Sequence, residues 1–122
     1  MNRVPALLTA ATTLAVVLPA HATSRGATSG LRGLVKRSPT QPVCRAETPC
    51  SAPAPGVVIT FVRRGVSHSV KTDARGRYRI ALGAGRYAVR IPRARFGYAP
   101  HVATVAAGRF VVANFEIDTG IR

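Results

Sequence analysis

Acidic residues are scarce in this 122-residue chain: four Asp and Glu stand against 18 Lys and Arg. The shortage leaves catalysis by paired carboxylates, which needs one group as acid and another as base, without candidates. The two aspartates, Asp73 and Asp118, sit at a turn and in the tail, so no Ser-His-Asp set assembles around them. Cysteine is as sparse. Cys44 and Cys50 are the only two, and two thiols neither complete a zinc shell nor form C-x-x-C at this spacing. Of three histidines, His21 lies in the N-terminal segment, His68 is flanked by serines in a polar run, and His101 follows Pro100 in a loop. Their spacing implies no metal set. After the N-terminus there is no apolar run of membrane-spanning length, and no apolar spacing of 3.6 residues is sustained. These absences predict a nonenzymatic chain without cofactor or metal, and without a transmembrane segment.

The first 22 residues, "MNRVPALLTAATTLAVVLPAHA", carry Arg3, an apolar stretch from Val4 to Leu18, and the small-x-small pattern Ala20-His21-Ala22. This is the pattern of a cleaved signal peptide. Secretion is therefore expected, with Thr23 as first mature residue, a flexible polar lead-in over 23–29, and one domain over 30–122. An oxidising compartment makes the close pair Cys44 and Cys50 a disulfide. Pro42, Pro49, Pro53 and Pro55 surround it. The bridge rigidifies a loop that cannot build a ladder, worth about 2 kcal/mol. The formal net charge of +14 attracts acidic polymers, nucleic acid and anionic membrane surfaces. Genomic base composition is the competing reading, because only Lys36 and Lys71 are lysines.

Short runs separated by turn residues fill the rest. Seven read as strands: 31–37, 56–64, 66–72, 77–82, 86–91, 101–105 and 109–117. Frequent turns and short β-branched runs predict an all-β sandwich. In 56–64, Val57, Ile59 and Phe61 share one side and Val58, Thr60 and Val62 the other, which suits a strand covered on both sides. "RYRIAL" (77–82) and "RYAVRI" (86–91) alternate instead. Tyr78, Ile80, Leu82, Tyr87, Val89 and Ile91 fall on apolar sides, with arginines opposite. Between them Gly83 and Gly85 make a G-x-G. A dinucleotide loop needs a third glycine and a following helix; here a strand follows, so a turn is the better reading. "TDARG" (72–76) is a second turn, with Asp73 bonding nearby backbone and Gly76 left-handed.

The string "VKTDARGRYRIALGAGRYAVRI" resembles the T-D-x-x-G-x-[FY]-x-[FIV]-x-L-x-x-G-x-Y-x-[VL] pattern of carboxypeptidase regulatory-like domains, also called transthyretin-like or Cna-B-like. "PAPGVVITF" resembles the family's preceding strand. The resemblance covers roughly 30–117. It implies a seven-stranded Greek-key sandwich of prealbumin-like or Ig-like type, with runs 77–82 and 86–91 in different sheets. It also implies a noncatalytic module that binds, spaces or stabilises. Related purine-pathway hydrolases use paired histidines and a Tyr-Arg-Gly-Ser-type tail; this chain ends "FEIDTGIR". Adhesin relatives join a first-strand Lys to a last-strand Asn. Lys36 and Asn114 stand in loosely comparable places, without an acid on an apolar central strand.

The remaining functional feature is a basic surface with nearby aromatics: Arg77, Arg79, Arg86 and Arg90, and the loop residues Arg93, Arg95, Phe96 and Tyr98. Long loops on rigid scaffolds often carry recognition. Phe96 and Tyr98 either stack on a ligand or cap the open end of the core. Two functions follow. One is a secreted module binding, or structurally supporting, envelope glycans or proteins. The other is a cationic binder of acidic cell-wall polymers, nucleic acid or anionic membranes.

Overall fold

The computed structural model describes residues 28–122, together with Thr12, Thr13 and Ala15. The expected signal peptide, and most of the expected lead-in, lie outside the described residues. Ten strands follow in order: β1 Gly30–Ser38, β2 Ala52–Pro53, β3 Val58–Arg63, β4 Val66–Lys71, β5 Arg77–Ala81, β6 Gly85–Arg90, β7 Tyr98–Ala99, β8 Val102–Val105, β9 Phe110–Val112 and β10 Phe115–Asp118. The described residues contain no helix, and none is long and apolar enough to cross a membrane.

The strands form two sheets. The first is organised around β1. Its N-terminal half lies between antiparallel β5 and parallel β9; its C-terminal half lies between antiparallel β2 and parallel β10, with β7 beyond. The second sheet has the order β4-β3-β6-β8, antiparallel throughout. The run read as one strand over 109–117 is thus two. The pairing with β1 is broken where the Leu34 amide donates to the Asn114 side-chain oxygen at 2.9 Å rather than to backbone. The additional strands β2 and β7 are two-residue bridges in stretches whose prolines hide any alternation.

Alternation buries one side of each sheet. Leu31, Val35, Tyr78, Leu82 and Phe115 meet Ile59, Phe61, Tyr87, Val89, Ile91 and Val105. Phe61, Tyr78 and Phe115 form an aromatic trio with ring centres 5.9–6.1 Å apart. The buried Tyr78 hydroxyl donates to the Ala113 carbonyl at 2.6 Å. Two expectations need correction. β3 is central in its sheet but covered on one side only: Val58 is 39% exposed, because the second sheet's outer side faces solvent. Ile80 is half-buried rather than core, since β5 lies at the margin of the first sheet, beside β1 alone.

The 72–76 turn joins the sheets. Asp73 Oδ1 accepts from the amides of Arg75 and Arg77 at 2.8 and 2.9 Å. Thr72 is buried; its hydroxyl donates to the Ala54 carbonyl and accepts from the Val57 amide. Gly76 has φ 76°, and a Cβ there would fall 2.7 Å from the Val35 carbonyl oxygen. A side chain is therefore opposed by both conformation and space.

Candidate functional site

β5 and β6 lie in different sheets, so residues 82–84 cross between layers rather than close a hairpin. This crossing determines where the candidate arginines go. Each strand turns its tyrosine inward and its arginines outward, and the inner sides face one another. Arg77 and Arg79 therefore lie on the outside of the first sheet, and Arg86 and Arg90 on the outside of the second. A single basic surface spanning all four does not form. No helix follows the G-x-G; the Gly83 carbonyl instead accepts from the Tyr87 hydroxyl at 2.8 Å.

The loop candidates gather at one end of the sandwich. Arg93, Arg95 and Phe96 line a groove of about 530 Å³ whose floor is the open end of the core: Ala54, Val57, Ile91 and Ile117. Phe96 stands on its rim, 58% exposed. Tyr98 is not part of this lining. It is half-buried, donates to the Val89 carbonyl at 2.7 Å, and meets His101 edge-on at 4.4 Å. Tyr98 is thus the capping aromatic and Phe96 the presented one.

Sequence reasoning missed Arg37, which also lines the groove. Its signal was present. Leu31 and Val35 point into the core, and Arg37 continues their parity where an apolar residue is expected. It falls just past the covered end of β1, opposite Ile117. Three guanidinium groups thus surround an apolar floor, with Asp118 and Thr119 completing the lining. Asp118 is already engaged. Its carboxylate pairs with Arg122 at 3.2 Å and accepts from the Gly120 amide, and these contacts, the Arg122 side chain first, hold it below the usual carboxylate range. The groove is cationic at its rim and apolar at its base. That suits an anionic group carried on an apolar or ring-rich body.

Asp73 is bound into its turn and Asp118 to Arg122, while His68 and His101 are exposed. Among the described residues no group of three His, Cys, Asp or Glu side chains is placed to hold a metal ion. Cys44 and Cys50 form a disulfide with Cα atoms 5.5 Å apart. It closes an exposed loop that is tied to the domain where the Thr40 amide donates to the Cys50 carbonyl. Neither Lys36 nor Asn114 is arranged as a cross-link: Asn114 accepts from Leu34, and Lys36 pairs in register with Pro53 and Glu116.

No curated protein matches the chain. Residues 30–118 match the carboxypeptidase regulatory-like domain, a span that takes in both sheets, the two turns and all of the groove but Thr119, and the chain belongs to that family.

Proposed function

We propose that this protein is a noncatalytic secreted module that holds an extracellular glycan or protein ligand in the groove at the end of its sandwich. Members of its family are typically noncatalytic regulatory modules. The observation that carries the reading is the groove itself. An apolar floor of Ile91, Ile117 and Val57 is ringed by Arg37, Arg93 and Arg95, with Phe96 presented beside them. An aromatic ring next to guanidinium forks is a common means of holding a sugar ring or a side chain together with its acidic substituent. Export follows the same reading, with cleavage after Ala22, and agrees with the Cys44–Cys50 disulfide.

An array of extracellular glycans and peptides, probed at two salt concentrations, tests the proposal. Ligands held by the groove lose signal with Phe96→Ala and with Arg95→Ala, and the Phe96 loss persists at high salt because packing is not screened. Arg86→Ala, on the second sheet's outer side, leaves them unchanged. Hits indifferent to both groove substitutions overturn the proposal.

A further inference from the structure

The outer side of the first sheet holds a second charged feature, remote in its chemistry from the groove. Arg32 on β1 lies directly across the ladder from Arg79 on β5, and both are exposed. Like charges directly opposite one another weaken a sheet. Arg77 stands two residues before Arg79 on β5 and is also exposed. None of the four acids, Asp73, Glu116, Asp118 and the disulfide-loop Glu47, forms an ion pair with either arginine. Asp73 lies by Arg75 and Arg77 and accepts from their amides, and Glu116 accepts from the Ser38 hydroxyl. Asp118 pairs with Arg122, the one ion pair among the described residues.

The Arg79 guanidinium is also fixed in place. Its Cζ sits 3.8 Å from the centre of the Phe110 ring. Phe110 is on β9, on the far side of β1, and reaches Arg79 across Gly30, its partner in register. A Cβ at Gly30 would fall 2.6 Å from the Phe110 ring and 2.1 Å from the Ile80 carbonyl oxygen. Only glycine leaves this passage open. A stacked guanidinium keeps its in-plane N–H donors free at the ring edge. Its side-chain freedom is already reduced before any ligand arrives, which favours binding.

We infer that this side of the sheet binds a linear, base-free polyanion whose repeating charge is phosphate. Opposed ladder residues lie about 5 Å apart and alternate residues of a strand about 7 Å apart, so Arg32, Arg79 and Arg77 meet a chain of closely spaced anions. Guanidinium forks fit phosphate oxygens, and two opposed forks call for dense negative charge between them. Nucleic acid fits less well, because single strands rely on exposed aromatic stacking platforms. Phe110 is the one aromatic that pairing places on this side, and Arg79 covers it.

The test is fluorescence anisotropy of labelled inorganic polyphosphate with protein produced from the full sequence. Arg32→Gln and Arg79→Gln each weaken binding at least fivefold. Each also lowers the slope of log affinity against log salt by about one. Arg86→Gln and Arg90→Gln remove the same net charge on the opposite side and change affinity less than twofold. Arg32→Gln melts no lower than the parent, because it removes a like-charge pair; a purely structural arginine would melt lower. Equal losses from the control pair would reduce the effect to net charge and overturn the site. So would tighter binding of a single-stranded oligonucleotide, or of a polyuronate of equal length.

Discussion

Tyr78 sits where core, hydrogen bonding and ionisation meet. Burial pushes its phenol above the ordinary tyrosine value, so the folded state holds the proton that the unfolded chain releases. The stability from this group is present below about pH 10, the unfolded value, and is lost as pH rises toward the raised folded one. Denaturant midpoints followed from pH 8 to 11 therefore fall above pH 10. In Tyr78→Phe this fall is smaller, although that variant is weaker at neutral pH for want of the bond to Ala113. Asp73 has the opposite sign. Backbone donors Arg77 and Arg75 hold its carboxyl below the usual range, so its support is present above the unfolded value near 4 and is lost as pH falls through the lowered one. Side-chain truncation separates inside from outside. Val89→Ala costs about 2–4 kcal/mol by opening a cavity between the sheets, whereas half-buried Ile80→Ala costs less. Arg90→Ala stays within about 0.5 kcal/mol. Arg79→Ala exceeds it, by the roughly 0.5–1 kcal/mol of an exposed cation–π contact. Urea melts of the four variants check the order, and equal tolerance at Val89 and Arg90 would contradict the alternation argument.

Turns set the elements. In the β3–β4 hairpin, Arg63 pairs with Val66, leaving Arg64 and Gly65 as a two-residue loop with φ 52° and 78°. Both central residues are left-handed, as a type I′ turn requires, and a long side chain at Arg64 is strained there. Arg64→Gly relieves the strain, and Gly76→Ala imposes it at a site that also lacks room for a methyl group. Thermal melts should place Arg64→Gly at or above the parent and Gly76→Ala lower by the equivalent of about 1–3 kcal/mol. Much of this level was legible in the sequence. Period-two alternation locates β5 and β6, and turn residues locate 72–76. What stayed hidden depended on partners. Val58 and Val62 look like core until the absence of a covering layer is known. The break at Ala113–Asn114 depends on a side chain reaching β1. β2 and β7 are too short to carry any period. Arg79 reads as an ordinary surface residue, because its stack on Phe110 crosses an intervening strand.

At the scale of the molecule, the sheet crossing at 82–84 governs what the arginines do. Two similar runs in opposed layers send their charges to opposite outer sides, while the loop after β6 brings Arg93, Arg95 and Phe96 to the end of the sandwich, beside Arg37. The eight candidate residues, close together in the chain, therefore divide among the two outer sides and the end of the sandwich. The groove is only half legible in the chain: Arg93, Arg95 and Phe96 share one loop, but Arg37, Ala54, Val57 and Ile117 arrive from distant parts of the sequence. The central claim is that recognition sits in this groove. Backbone amide shifts of isotopically labelled protein, titrated with the strongest phosphate-free array ligand, test it most directly. The account predicts saturable changes confined to Arg37, residues 54–57, residues 91–96 and residues 117–119. Changes centred on the outer side of either sheet, or no saturable binder at all, would contradict it.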